Sequence, residues 1–257
     1  MLPRERIAAA IRAGGVGEEP ALVAFLTAGY PRRERFRADL TAVAAGADVV
    51  EIGVPFTDPM ADGMTIQRSS HEALRQGVTL QWILDELTAL SRLRPPLLLM
   101  SYLNPLLSFG YERLAAGCVA AGVCGLIVPD LPLDESASLR AALDPLGIAL
   151  VQMVTPVTPA PRLARLCAAS QGFVYAVTMT GTTGKSVELP EEMLAYLMRV
   201  RAAAPVPVCA GFGIRSRAQV ERLRGVVDGV VIGSALVEVL ERGEPPQAWL
   251  AALRQSQ

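Results

Sequence analysis

Histidine and lysine are almost missing from this chain of 257 residues. His71 is the only histidine and Lys185 is the only lysine. A Ser-His-Asp triad or a multi-histidine metal site is therefore nearly excluded, since His71 lies in a polar helical segment. Lys185 lies in a loop of Gly and Thr rather than in the apolar pocket that activates a Schiff-base lysine. Carboxylates, hydroxyls and backbone N–H groups remain as candidates for chemistry.

Strong charge and paired cysteines are also lacking. The formal net charge is -1, which argues against a nucleic-acid-binding surface. The four cysteines form no CxxC pair and have no metal-finger spacing, so we expect reduced core thiols and a cytoplasmic location. We expect no signal peptide, and the uncharged stretch 95–111 is broken by Pro, Gly and Asn, which disfavours a membrane span.

Short apolar runs alternate with longer amphipathic runs along the whole chain. The runs that predict strands cover residues 21–29, 47–53, 96–102, 124–130, 147–154, 172–178, 206–211 and 229–234. Nearly continuous apolar strands indicate a parallel sheet that is buried on both faces. No change in composition marks a linker, so we expect one domain over residues 1–257.

Eight strand–helix units in a chain of this length predict a (β/α)8 TIM barrel. An open doubly wound sheet is the alternative, but the residues after the first strand, TAGYPRRERF, lack the dinucleotide-binding glycine pattern. Residues 4–13 and 246–254 predict extra N- and C-terminal helices outside the eight units. A short helix at 233–241 follows the eighth strand directly, where barrel enzymes form phosphate sites.

The most informative segment is EIGVPFTDPMADGMTIQ, residues 51–67. Glu51 lies inside the apolar run DVVEIGV, and Asp62 follows in a loop of small residues. A buried ionised carboxylate is costly unless it is paired, so such a group is a candidate for a tuned proton. The alternative is a carboxylate at the end of a strand that points to solvent.

Three glycine clusters follow the last three predicted strands, at residues 181–184, 211–213 and 233–234. Glycine lets the backbone approach an anion closely, and N–H groups at a helix N-terminus can then hold a phosphate. Together the clusters predict a phosphate site at one end of the barrel. Several apolar residues could line a flat pocket nearby, although ordinary barrel core is the default for each. They are Phe25, Met100, Tyr102, Ile127, Met153, Tyr175, Phe212 and Val231.

At this point the chain resembles the α-subunit family of tryptophan synthase. The motifs that carry the resemblance are AFLTAGYP, EIGVPFTDPMADGMTIQ, MSYLNP, GLIVPDLP, TGTTG, AGFGI and VVIGSALV, and they span nearly the whole chain. The resemblance implies retro-aldol cleavage of indole-3-glycerol phosphate to indole and glyceraldehyde 3-phosphate, without a metal or a Schiff base.

The resemblance also implies roles for single residues. Glu51 is similar to the family's acid–base residue, Asp62 to the aspartate that bonds the indole N–H, and Tyr175 to the active-site tyrosine. Thr183 looks like a loop residue that bonds this aspartate when the loop closes. The implied phosphate ligands are Gly184, Gly213, Gly233 and Ser234. The implied indole pocket consists of Phe25, Tyr102, Ile127 and Phe212.

The family works with a β subunit that carries pyridoxal phosphate, so the resemblance implies no cofactor in this chain and an α2β2 tetramer. Asp58, Asn104 and Asp130 resemble positions that face the β subunit. A free-standing lyase that releases indole and a silent activator of a β subunit remain alternatives, although Glu51 and Asp62 argue against the silent form. A sugar-phosphate epimerase on the same fold is a further alternative, but such enzymes often use histidine–metal sites.

Overall fold

The fold is a closed barrel of parallel strands. A computed structural model describes residues 1–15, 19–90, 93–178, 190–211 and 213–254. Eight strands of this part of the chain pair in sequence order until the eighth meets the first, which confirms the TIM barrel and excludes the open sheet. They are β1 (Ala21–Thr27), β2 (Val49–Gly53), β3 (Leu97–Met100), β4 (Val123–Ile127), β5 (Ala149–Val154), β6 (Val174–Val177), β7 (Val208–Gly211) and β8 (Gly229–Ile232).

Helices surround the strands. They are α1 (Pro3–Gly14), α2 (Phe36–Ala44), α3 (Met64–Arg75), α4 (Leu80–Ala89), α5 (Leu103–Phe109), α6 (Tyr111–Ala120), α7 (Ala137–Leu143), α8 (Ala160–Ala169), α9 (Glu191–Ala203), α10 (Arg217–Glu221), α11 (Ser234–Glu241) and α12 (Pro246–Arg254). The extra terminal helices are confirmed as α1 and α12. Helix α5 was not predicted from the sequence, because its Asn104-Pro105 pair resembles a turn. A proline is tolerated there because it lies in the first turn of the helix.

Alternating side chains divide the apolar residues of each strand between two layers. In β1, Leu22, Ala24 and Leu26 belong to the large cluster between the strands and the outer helices. Val23 belongs instead to a second cluster inside the barrel. Because successive side chains of a strand point to opposite faces, inward positions near the carboxyl end of a strand reach the mouth of the barrel.

Helix α1 covers the amino-terminal end of the barrel. Its residues Ile7 and Ile11 are fully buried in the interior cluster together with Leu98, Phe173 and Cys209. The apolar face of this helix therefore closes the amino-terminal end of the barrel. The carboxyl end of the barrel carries the residues predicted to be functional.

The four cysteines are buried and free, as the sequence predicts. Within the described ranges, no helix is long and apolar enough to cross a membrane.

Candidate functional site

A cavity of about 110 Å³ lies at the carboxyl ends of the strands. Larger cavities of the described residues lie elsewhere, and two of them, of about 820 and about 390 Å³, lie at the opposite end beside α1. Volume alone would favour that end, but Glu51 and Asp62, two carboxyl groups with raised pKa values, line the smaller cavity. Its lining residues are Phe25, Glu51, Ala61, Asp62, Gly63, Ile66, Met100, Met153, Tyr175, Gly213, Val231, Gly233 and Ser234.

Glu51 lies on β2 and points into the barrel. Its neighbours across the sheet are Phe25 on β1 and Leu98 on β3, and its exposed fraction is 1%. The solvent-pointing alternative is therefore wrong. Among the described residues, no group donates a hydrogen bond to its buried Oε2. Burial and, secondarily, the charge of Asp62 raise the pKa of Glu51 to about 8, so the group is protonated at neutral pH.

Asp62 lies in the loop between β2 and α3 and is half-buried. The phenol of Tyr102 donates a hydrogen bond of 3.0 Å to its Oδ2 and accepts one of 2.9 Å from the N–H of Ala61. Burial raises the pKa of Asp62 to about 6, and the Tyr102 bond opposes this rise. The sequence does not indicate this raised pKa, because it depends on the burial of the loop in the folded chain. Asp62 nevertheless ionises before Glu51, which gives the site one acid and one carboxylate at pH 7.

Two glycines make room for the aromatic walls. A Cβ atom at Gly211 would lie 2.4 Å from the hydroxyl oxygen of Tyr175, and one at Gly53 would lie 2.5 Å from the ring of Phe25. Neither distance is possible for a real side chain. The neighbouring strands therefore need glycine at these two positions so that Tyr175 and Phe25 can lie over the barrel mouth.

Part of the cavity lining is glycine backbone. Gly213 follows β7, and Gly233 precedes Ser234, the first residue of α11. N–H groups in the first turn of a helix have no carbonyl partner within the helix, and the helix dipole is positive there. This part of the lining can therefore accept an anion without a cationic side chain.

Other predicted residues lie outside the cavity or outside the described ranges. Tyr102 does not line the cavity, but its hydroxyl donates a hydrogen bond to Asp62, which does. Ile127 is fully buried in the interior cluster. Thr183, Gly184 and Phe212 lie outside the described residues, as does most of the loop that was expected to close over the site.

Sequence reasoning did not identify Ala61, Gly63 and Ile66 as lining residues. Ile66 offers a signal, because it is an apolar residue in the first turn of α3, which begins two residues after Asp62. His71 is exposed, and its Nε2 lies 3.1 Å from the carbonyl oxygen of Thr57, outside the cavity. Within the described part of the chain, no cluster of three His, Cys, Asp or Glu side chains is placed to hold a metal.

The residues predicted to face a partner lie on the same end of the barrel. Asp58, Asn104 and Asp130 are exposed and follow the adjacent strands β2, β3 and β4. Asp130 accepts a hydrogen bond of 2.8 Å from the N–H of Leu103, which is the first residue of α5. Large apolar side chains are exposed nearby, in the loop after β2, at the start of α3 and on α5; they are Met60, Met64 and Leu107.

Comparison with known proteins gives a consistent result. A family model described as tryptophan synthase alpha chain matches residues 15–256. The tryptophan synthase alpha chain of Nitratidesulfovibrio vulgaris is 46% identical over 249 residues, which cover 96% of this chain and 97% of that protein. The alpha chain of Bacillus mycoides is 47% identical over 198 residues, or 77% of each chain.

Solved structures agree with the sequence comparison. A chain of tryptophan synthase from M. tuberculosis in its open form superimposes with a TM-score of 0.87 at 35% identity and 96% coverage of both chains. The tryptophan synthase alpha subunit of Legionella pneumophila gives a TM-score of 0.84 at 30% identity, with 96% and 95% coverage. The similarity therefore extends over nearly the whole chain.

Proposed function

The chain belongs to the tryptophan synthase alpha chain family, whose reaction cleaves indole-3-glycerol phosphate to indole and glyceraldehyde 3-phosphate, and we propose that the reaction takes place in the cavity at the carboxyl end of this barrel. The observation that carries the assignment is the pair Glu51 and Asp62. The cavity brings two carboxyl groups together and keeps one protonated while the other is ionised.

Glu51 is the proposed acid–base residue. Breaking the bond between the indole C3 and the glycerol chain needs an electron-poor ring, so an acid must deliver a proton to C3. A carboxyl group that stays protonated at neutral pH and lines the cavity is suited to this step. The resulting carboxylate can then take the proton of the chain hydroxyl as the aldehyde forms, which returns Glu51 to its starting state.

Asp62 is the proposed anion beside the indole nitrogen. Protonation at C3 places positive charge on the nitrogen, and a fixed carboxylate stabilises that charge as it develops. Tyr102 holds the carboxylate in place through its 3.0 Å hydrogen bond. In this proposal Phe25 and Tyr175 enclose the ring, together with Phe212. Tyr102 contributes to the indole pocket through Asp62, and Ile127 supports the pocket from the interior cluster below it. Gly213, Gly233 and Ser234 hold the phosphate, together with Gly184 and with Thr183 acting on Asp62 from the loop.

Family membership implies a β-subunit partner. We propose that the two chains form an α2β2 tetramer and that Asp58, Asn104 and Asp130 contact the β subunit. Their exposure beside apolar side chains supports this assignment. Pyridoxal phosphate is expected in the β subunit, and no cofactor is expected in this chain. A single domain over residues 1–257 and a cytoplasmic location belong to the same proposal, the latter supported by the four free thiols.

One assay tests the proposal. Indole release from indole-3-glycerol phosphate is measured first with the isolated chain and then with a β subunit present. We expect slow release by the isolated chain and a large activation by the β subunit. A high rate that the β subunit does not change would indicate a free-standing lyase, and activation of the β subunit without indole release would indicate a silent activator.

The carboxyl pair predicts a bell-shaped pH profile of kcat/KM, and Tyr102→Phe should move one side of it. Activity needs an ionised Asp62 and a protonated Glu51, so the limbs are expected near pH 6 and pH 8. The substitution removes the hydrogen bond that lowers the pKa of Asp62. The acidic limb should therefore move to a higher pH by about one unit. A pKa shift of one unit corresponds to about 1.4 kcal/mol, which is close to the free energy of one hydrogen bond to a charged group.

Tyr196→Phe is the matched control for this variant. The Tyr196 hydroxyl donates a buried hydrogen bond of 2.8 Å to the carbonyl oxygen of Val154, outside the cavity. Its loss should leave both limbs in place. An unchanged acidic limb in Tyr102→Phe would show that Tyr102 does not tune Asp62.

A second prediction concerns phosphate binding by the backbone. Gly213 has φ of 77° and lines the cavity, so Gly213→Val places a branched side chain where the phosphate must approach. KM should rise by about tenfold or more while kcat falls less. Gly122→Val controls for backbone strain, because Gly122 has φ of 70° with open space around it at the other end of the barrel. An equal rise in KM in both variants would contradict a phosphate contact at Gly213.

A further inference from the structure

Two helices carry the two ends of the cavity. Asp62 and Gly63 lead directly into α3, and Gly233 leads into α11, which begins at Ser234. In the proposed site, these are the indole end and the phosphate end. The spacing between them therefore depends on how α3 packs against α11.

The packing between these helices is partly apolar. Ile66 of α3 packs against a cluster that contains Val237 of α11 and Phe25 of β1. Apolar contacts of this kind are not directional, so they tolerate small shifts along the interface. A polar contact with fixed geometry is needed to define the register of one helix on the other.

Glu238 of α11 makes such a contact. Its Oε1 accepts hydrogen bonds from Thr65 Oγ1 of α3 at 3.2 Å and from Arg215 Nη2 at 2.7 Å, while its Oε2 accepts from Arg215 Nη1 at 2.8 Å. Arg215 follows Gly213 by two residues. The guanidinium beside Glu238 lowers the pKa of this carboxyl group, so it remains a carboxylate at neutral pH. One side chain thus joins α11, the helix after Asp62 and the loop after β7.

An ion pair also links α3 with α11, but both of its side chains are exposed. Arg68 of α3 lies 2.5 Å from Glu241 of α11, and both side chains are well exposed. Exposed pairs of this kind contribute little to stability. The Glu238 side chain is only 25% exposed and forms a two-pronged pair with Arg215, which fixes its orientation. Glu238 is therefore the contact that can set the spacing.

We propose that Glu238 is a positioning residue, which holds Thr65 and Arg215 at once and thereby fixes the distance between the Asp62 end and the Ser234 end of the cavity. The inference rests on the proposed assignment of the indole and phosphate ends. A ligand that spans both ends gains affinity from correct spacing, because its second half binds intramolecularly. A fragment that occupies one end gains nothing from the spacing. Loss of Glu238 should therefore lower the affinity for linked ligands and leave the affinity for each fragment unchanged.

The test compares a linked ligand with its fragments. The linked probe is an indole joined to a phosphate by a three-carbon chain, and the fragments are indole and glycerol 3-phosphate. Dissociation constants are measured by calorimetry for the wild type, Glu238→Ala, Glu238→Gln and Thr65→Val. Thr65→Val removes the hydroxyl that Glu238 binds but keeps the shape of the side chain, so it cuts only the link to α3.

We expect Thr65→Val and Glu238→Ala to weaken the linked probe by about tenfold or more, because a wrong spacing lowers the effective concentration of its second half. The fragments should bind within about twofold of the wild type to Thr65→Val. Glu238→Gln keeps an acceptor oxygen and should recover part of the loss. For each weakened variant, kcat on indole-3-glycerol phosphate should fall more steeply than the affinity for either fragment.

The control is Glu86→Ala, which removes an ion pair between α2 and α4 with a 2.5 Å bond from Arg37. It should leave the dissociation constants of the linked probe and of the two fragments unchanged, as well as kcat. Equal weakening of the linked probe and the fragments in Thr65→Val, or no weakening at all, would overturn the proposal. Melting temperatures identify a variant that fails to fold, in which case Thr65→Val decides the result. If the wild type itself failed to release indole from indole-3-glycerol phosphate, the proposed function would be wrong instead.

Discussion

Glu51→Gln is expected to abolish indole formation and to leave the binding of a substrate analogue nearly unchanged. The amide has almost the same shape as the carboxyl group, so the wall of the cavity is preserved. It cannot give a proton to C3 or take one from the chain hydroxyl. General acid–base catalysis contributes about 10²–10⁴-fold, so kcat should fall by at least that range. Steady-state assays of indole release and calorimetric titration with the analogue measure the two effects separately.

Asp39→Asn is the matched control for this variant. Asp39 of α2 is also a buried carboxyl group with a raised pKa, and its Oδ2 has no hydrogen-bond partner among the described residues. It lies outside the cavity, so its loss should change stability without changing kcat. Retention of more than a tenth of the wild-type rate in Glu51→Gln would remove this residue from the proton transfer.

Asp62→Asn is expected to lower kcat by about 10²–10³-fold, with a smaller change in KM. The ground-state indole N–H can still bond to the amide oxygen of Asn, so substrate binding is largely kept. The positive charge that develops on the ring loses its carboxylate, and removal of one fixed electrostatic partner costs a factor of this size in other enzymes. The rate measurement is a single-turnover assay of indole release, which reports the chemical step.

The pH profile separates this explanation from a general disturbance of the site. The acidic limb near pH 6 is assigned to Asp62, so it should be absent from the residual activity of Asp62→Asn. The basic limb belongs to Glu51 and should remain, but at a lower pH than in the wild type, because the charge of Asp62 no longer raises the pKa of Glu51. A residual profile that keeps its acidic limb would assign that limb to another group.

Much of the fold follows from the sequence because the signals are local. Each strand is a short apolar run bounded by turn residues, and each observed strand lies within, or within one residue of, its predicted range. The role of α1 could not be predicted in this way. Its pattern of apolar residues shows that one face is buried, but not that Ile7 and Ile11 would close one end of a barrel. That contact exists only after eight strands have come together.

The site likewise contains some residues that the local sequence predicts and some contacts that form only on folding. Glu51 was identified because a carboxyl group in an apolar run is locally unusual. The hydrogen bond from Tyr102 to Asp62 joins residues 40 positions apart, and that from Thr65 to Glu238 joins residues 173 positions apart. No local pattern marks such pairs. The burial of Asp62 was missed for the same reason, since its loop is polar and small and becomes enclosed only when β3 lies beside β2.

The burial of Glu51 also affects the stability of the barrel. Above about pH 4.5 the unfolded chain ionises this group, whereas the folded chain keeps it protonated until about pH 8. The unfolded state is therefore favoured increasingly as the pH rises between these values, at about 1.4 kcal/mol per pH unit. At pH 7 the loss in the free energy of unfolding is on the order of 3 kcal/mol. A barrel without this carboxyl group would withstand more heat, so evolution toward thermal resistance alone would discard the side chain on which turnover depends.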